Sequence, residues 1–433
     1  MDQIRTTGRR CAAIAASVLA ATALHAGQWL DYYVDNSWTG ATLGTSAAPF
    51  TNIQAAIDFT VLTDGMFAAS TIYVKPTGSE YTGLLLFPNL NAMRLKGWGG
   101  MPTIAYRGGG PHSTIMSDTN YGSPVYACLP PAQVGLETLA IINDTSAPGD
   151  WYCADVQPWV SWEPGLTNTP ERYRFGVSNC IFYGAGRNGG LKLRDLDQRH
   201  LVPSDIPYFN YHTSLVQRCR FEQCRVGVKA MSLQFARIAD NWFVSNAVAI
   251  TAVQSNFWPY IRPYTNLFIA FNVFESCAGD AVQADNFNEL IIQNNTFYQG
   301  GGTGAVLNAV DFDYHGTAQL HNNIFYDNGG AWIAAAEDTN ALIAGNNLYY
   351  ANPETGWEAF GTGSLTNVPP DFVSQTPGDP DFLRPNIGSP AAYRTNLFGG
   401  VTFLGALPPL PEPGALLALP LLLLARRAAR RNG

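Results

Sequence analysis

The stretch Leu320–Asn328, "LHNNIFYDN", sets two asparagines beside a phenylalanine in a run that otherwise reads as buried strand. Its six-residue phrase returns through the chain as "VSNCIF", "VQRCRF", "IADNWF", "IAFNVF", "IQNNTF", "LHNNIF" and "IAGNNL", beginning at Val177, Val216, Ile238, Ile269, Ile292, Leu320 and Ile343. The first position is always aliphatic. The sixth is Phe182, Phe221, Phe243, Phe274, Phe297, Phe325 and then Leu348, at spacings of 39, 22, 31, 23, 28 and 23. Three intervals of 22 or 23 and three enlarged by insertions are the mark of a repeat array.

Between the phrases lie short alternating runs of β-branched and aromatic residues, broken by Gly, Asn and Asp, with no stretch of helical periodicity. That excludes helical repeats and leucine-rich horseshoes. A coil of about 22 residues with three short strands is the unit of an all-β solenoid, a right-handed parallel β-helix, with each coil about 4.8 Å above the last. Equivalent residues then form columns. The fourth phrase position is Cys180, Cys219, Asn241, Asn272, Asn295, Asn323 and Asn346, and it predicts an asparagine ladder, each side-chain amide donating to one coil and accepting from the other. The sixth predicts a phenylalanine stack filling the interior.

These repeats resemble the pectate-lyase-like right-handed β-helix superfamily. "YYVDNSWTGATLGTSAAPFTNIQAAID" (Tyr32–Asp58) is similar to the entry module of such proteins, a strand and short helix capping the first coil over about residues 32–70. "STIYVKPTGSEYTG", from Ser70, and "PPDFVSQTPGDPDFLRPNIGSPA", near the other end, are similar to their opening and closing segments. The resemblance spans Tyr32 to Ala391 and implies the fold. It does not choose an activity, since the superfamily holds lyases, hydrolases, esterases, adhesins and inert scaffolds.

Both chain ends read as processing signals, leaving residues 27–405 as the expected β-helix domain. Residues 1–26 combine a basic start (Arg5, Arg9, Arg10), an apolar run from Cys11 to Leu24 and small residues before cleavage points after Ala23 or Ala26, the pattern of a secretory signal peptide. Residues 406–433 carry Pro411, Glu412 and Pro413, an apolar run from Gly414 to Ala425, and four terminal arginines. That order resembles the PEP-CTERM sorting signal. It implies an exosortase partner, transient membrane contact through the tail, and a destination on the surface, outer membrane or matrix of a Gram-negative bacterium; an uncleaved tail anchor is the alternative. Six cysteines remain after processing, in a compartment where disulfides persist, and no CxxC pair suggests zinc. Cys180 and Cys219 share a column, within reach of a bridge, whereas Cys224 and Cys277 stand two coils apart.

Charge is distributed unevenly. The whole chain has net charge −8, yet residues 172–237 hold eleven basic residues against four acids. On a stack of flat coils a sequence window becomes a surface band, and a positive band on a negative rod would position a polyanion. The expected partner is therefore an acidic polysaccharide, and nucleic acid is not expected. The other reading is that the arginines pair with acids on neighbouring coils.

Within the band, the 39-residue interval carries an insertion with Lys192, Arg194, Tyr208 and Tyr211, and insertions project from one edge of a solenoid. "RVGVKAM" turns Lys229 outward, and "GDAVQAD" turns Gln283 and Asp285 outward two coils later. Eliminative cleavage of a uronate polymer needs a cation to neutralise the sugar carboxylate and a base to take the adjacent proton, and crowded cations serve both roles. Lys192 or Lys229 is expected as base and Arg194 as carboxylate clamp, with Arg237, Tyr208 and Tyr211 holding the chain. Trp151, Trp159 and Trp162 offer a platform for sugar rings or pack within their loop. Asp280, Asp285, Asp311 and Asp313 are candidate Ca²⁺ ligands or ordinary turn residues. "CAGDAV" has Asp280 alone where polygalacturonase-like enzymes have adjacent aspartates, which argues against inverting hydrolysis. Two functions stay open: an exported lyase-like enzyme acting on an acidic polysaccharide, and a non-catalytic, adhesin-like surface or matrix β-helix.

Overall fold

The computed structural model describes residues 29–64, 69–87, 92–117, 133–156, 173–194, 213–231, 235–253, 266–285, 289–302, 305–308, 317–329, 333–336, 342–353, 361–392, 394–395 and 401–409. Residues 1–26, read above as a signal peptide, and residues 410–433 of the expected sorting segment, with Pro411, Glu412 and Pro413, lie outside them, as do Tyr208, Tyr211, Trp159, Trp162, Asp311, Asp313 and Cys128.

Each coil of the chain contributes one short strand to each of three parallel sheets, two of eleven strands and one of nine among the described residues. In one coil, Glu289–Gln293 belongs to the first sheet, Thr296–Tyr298 to the second and Ala305–Asn308 to the third. Through the regular coils each strand pairs in parallel with its equivalents in the coil before and the coil after. The chain is therefore a right-handed parallel β-helix. Strands of three to six residues alternate inward apolar and outward polar positions, and the inward ones make one continuous core from Val34 to Tyr349.

The phenylalanine column packs as the repeats predict. Phe182, Phe221, Phe243, Phe274, Phe297 and Phe325 stack at centroid separations of 4.5–5.1 Å, with ring planes within 14° of parallel. All six are at most 2% exposed. Tyr349, not Leu348, is the next ring, 5.3 Å from Phe325, and Leu348 pairs instead with Ile324 on the outer side.

The asparagine ladder occupies the turn between the first and second sheets. Asn241 donates from Nδ2 to Asn272 Oδ1 at 3.0 Å, Asn272 to Asn295 at 3.1 Å, Asn295 to Asn323 at 3.1 Å, and Asn323 to Asn347 at 3.0 Å. Each amide oxygen also accepts the backbone N–H of the rung before it, and each Nδ2 reaches a carbonyl of the preceding coil. No group in this buried turn is left without a partner on either side, which matters because an orphaned buried amide costs ~1–3 kcal/mol.

The last rung corrects the sequence register by one residue: it is Asn347, and Asn346 belongs to the column beside it. That column has positive φ from Thr138 upward, through Asn179, Arg218, Asp240, Phe271, Asn294, Asn322 and Asn346. Asparagine tolerates this left-handed conformation better than most residues. Three of these asparagines form a second, outer ladder: Asn346 donates to Asn322 at 2.6 Å and Asn322 to Asn294 at 3.4 Å.

Both ends of the described core are covered. Helix Ile53–Asp64, started by Asn52 accepting the Ala55 N–H at 3.1 Å, buries Ile53, Ala56 and Ile57 against the first coils. At the other end, residues 370–392 and 401–407 pack on the outer face of the second sheet. Phe372, Phe382, Leu383, Leu404 and Ala406 make a second core there with Val273, Tyr298, Ile324 and Leu348. Phe382 stacks on Trp242, four coils below Leu348 in the same sheet. Asn294 donates to Phe403 O at 2.7 Å, and Ala406 N donates to Thr296 Oγ1 at 2.9 Å.

Candidate functional site

The third sheet positions the basic residues. Its register places Asp155 opposite Lys192, Lys192 opposite Lys229, Lys229 opposite Thr251, and Thr251 opposite Gln283. These five side chains form one column on the sheet's outer face, between the inward columns Ala154–Leu191–Val228–Ile250–Val282 and Leu193–Ala230–Ala252–Ala284.

The lysines are not bare cations. Lys192 Nζ donates to Asp155 Oδ2 at 3.1 Å, lies 3.6 Å from Asp150 Oδ2 and sits 5.1 Å from the centre of the Tyr152 ring. It is only 5% exposed. Lys229 Nζ donates to Asp150 Oδ2 at 3.0 Å, Arg225 Nη2 donates to Asp150 Oδ1, and the Tyr152 hydroxyl donates to the same oxygen at 3.0 Å. Three cations and two carboxylates therefore share one cluster. Burial, the largest influence on Asp150, pushes its carboxyl up, but the hydrogen bond and charge of Lys229, with Tyr152 and Arg225, hold it down at about 2. Burial and then Asp150 push the Tyr152 phenol well up, so it stays a neutral donor.

Gly189 makes the cluster possible. A Cβ there would stand 2.1 Å from the Tyr152 ring, so only glycine lets the ring lie flat on the coil above and deliver its hydroxyl to Asp150. Trp151, the residue before, lies 6.5 Å from the His112 ring, which in turn contacts Tyr106 at 6.0 Å, and Trp151 donates to Pro148 O within its own loop.

The other expected site residues are placed as follows. Gln283 shares the column and donates to Asp280 Oδ2 at 2.9 Å. Arg194 ends the Lys192 strand opposite Met231, with its side chain outside the described residues, as is that of Asp285. Arg237 belongs to the first sheet, exposed over the Phe268 ring at 5.2 Å. It is on a different face from Lys192 and Lys229, because alternation in its strand turns it outward from another side of the coil. No cluster of three or more His, Cys, Asp or Glu side chains suited to a metal ion occurs among the described residues.

The crowding of like charge expected from the sequence is thus offset, and the reading in which basic residues pair with neighbouring acids holds for most of the described band. Besides the cluster, Arg187 faces Asp144 at 3.5 Å and Arg220 pairs with Glu222. The sequence reading missed Asp150 and Asp155, and counted Arg225 only among the basic residues of the band. The two acids precede the basic window and belong to a coil without the repeated phrase; the signal for them was "GDWYCADV", whose Asp155 falls in strand register below Lys192.

The comparison with known families agrees with this architecture. Residues 256–348 match the family described as a right handed beta helix region. The match covers the upper coils of the β-helix and stops short of Lys192 and Lys229, so it speaks to the fold and leaves the cluster to its own geometry. No curated protein matches the chain.

Proposed function

We propose that this β-helix is exported to the bacterial surface or matrix and there holds an acidic polysaccharide along the outer face of its third sheet. The observation that carries the reading is the column Asp155–Lys192–Lys229–Thr251–Gln283, one polar side chain per coil at the ~4.8 Å strand spacing of a sheet. An extended glycan repeats its rings at a comparable interval. Lys229 and Arg225, the more open cations of the cluster, share the Asp150 carboxylate. A sugar carboxylate has the same donor preferences and can take that place, with Trp151 beside it. Support for export comes from the basic, apolar and small-residue order of the first 26 residues and from Pro411, Glu412 and Pro413 ahead of an apolar run and basic tail.

A second reading, eliminative cleavage, draws on the convergence of Lys192 and Lys229 around Tyr152. Against it, each lysine already donates to a carboxylate, and Lys192 is nearly inaccessible. Holding without cutting is the better fit. The test is a panel of alginate, pectate and glycosaminoglycans, read for binding and for the ultraviolet absorbance of an unsaturated uronate. Salt-sensitive binding without absorbance, weakened by Lys229→Ala, supports the holding role. Absorbance lost in Lys229→Ala supports a lyase. Neither signal on any polymer removes both and leaves a structural surface protein.

A further inference from the structure

We infer that Cys180 and Cys219 are joined by a disulfide in the exported protein, a covalent staple across the coil that carries Lys192. The inference rests on the export reading only for its compartment; the geometry stands without it. Ile181 pairs with Arg220 and Ser178 with Gln217, so Cys180 and Cys219 hold the same turn position on successive coils. Parallel neighbours lie about 4.8 Å apart, inside the ~4.4–6.8 Å Cα range of a bridge. Both are thiols in this structure, the two interact electrostatically, and each donates to a carbonyl two residues back, Ser178 O at 3.3 Å and Gln217 O at 3.2 Å.

Their place in the asparagine column is informative. Every later rung up to Asn347 is an amide, and Cys219 N is received by Asn241 Oδ1 at 2.9 Å. Below, at the equivalent turn, stands the buried apolar Leu139, whose carbonyl accepts the Ile181 N–H. The two cysteines are thus where the amide ladder gives way to apolar packing, and a covalent bond there replaces the amide link between the coils. The bridge closes a segment containing Lys192 and the whole 195–212 insertion. Of the other described thiols, Cys153 donates to Tyr183 O and Cys224 to Phe182 O, on the strand between their coils, and Cys277 donates to Glu275 O.

The chemistry is thiol–disulfide exchange with an oxidant that itself carries a disulfide. One cysteine thiolate attacks a sulfur of the oxidant and releases a thiolate; the second attacks the mixed disulfide and releases the other. The pair loses two protons and two electrons, and the oxidant is reduced to its dithiol. In the folded chain Cys180 and Cys219 are only 1% and 2% exposed, and burial pushes the Cys219 thiol well up. The exchange therefore precedes coil closure, and the finished bond is shielded.

The test uses the full chain, recovered from the periplasm of a bacterial host and, separately, refolded from denaturant with reduced and oxidised glutathione. Free thiols are blocked in denaturant before trypsin. Cleavage at Arg174, Arg187, Arg218 and Arg220 places Cys180 in 175–187, Cys219 in 219–220 and Cys224 in 221–225. The expected product is 175–187 joined to 219–220, two hydrogens lighter than the sum, resistant to dithiothreitol under native conditions and cut by it in denaturant. Both residues found blocked in the oxidised refold, or either joined to Cys128, Cys153, Cys224 or Cys277, overturns the inference. A bridge that forms on refolding in a chain that the host fails to export keeps this inference and defeats the export reading alone.

Discussion

Replacing Asn295 by leucine isolates what the ladder contributes, because the two side chains are close in size and the site is fully buried. The amide of Asn295 accepts from Asn272 N at 2.9 Å and Asn272 Nδ2 at 3.1 Å, and donates to Ile269 O, Gln293 O and Asn323 Oδ1. Leucine ends all five. The Asn272 N–H loses its acceptor in a dry turn, at ~1–3 kcal/mol, and the remaining bonds lose a net ~1 kcal/mol each where the partner keeps no alternative. Asn272 Nδ2 still reaches Ile238 O, and Asn323 Oδ1 still receives Asn295 N, so two losses are partial. Burying leucine returns ~1–2 kcal/mol. The net destabilisation comes to about 3 kcal/mol. Gln299→Leu, in the same coil but exposed, with its side-chain amide donating to Asp327 at 3.1 Å, should stay within ~0.5 kcal/mol. Urea unfolding with unchanged slope measures both. Midpoints that move equally in the two variants would refute the ladder as a source of stability.

Two further outcomes follow from neighbouring features. Phe297→Ala opens the middle of the stack, where rings lie 4.7 and 4.5 Å on either side, and should cost about 3–5 kcal/mol; a loss under 1 kcal/mol would mean the column collapses to fill the gap. Asp150 has its carboxyl held down at about 2, below the unfolded value of roughly 3.9, so its contribution is complete above that unfolded value and disappears as pH falls from about 5 through 2. The wild type should lose more stability between pH 6 and pH 3 than Asp150→Asn does. Identical pH profiles in urea would show that the cluster adds nothing.

The fold was legible because a solenoid writes its columns into the sequence at each turn: an aliphatic residue in all seven phrases, an asparagine in five and a phenylalanine in six. The single slip came at "GNNL", where two adjacent asparagines fit two adjacent columns, the inner ladder and the positive-φ turn. Only the ring of Tyr349 on Phe325 decides which is which. The cluster was half legible. Outward lysines one coil apart could be counted, since Lys192 and Lys229 follow the repeat. Their partners could not, because Asp150 stands 79 residues before Lys229 and no phrase marks its coil. Charge counted along a window misses charge supplied across the stack. The run 370–407 read only as a closing segment, since its packing depends on which outer residues of the second sheet happen to be apolar.

That closing run changes how the molecule should come apart. A solenoid whose coils touch only their neighbours frays from its ends one turn at a time. Here Phe382 on Trp242 and Phe372 against Tyr326 bind non-adjacent turns with a single lateral splint. The upper turns are thereby obliged to let go together, a cooperativity that the splint does not extend to the coils below Trp242.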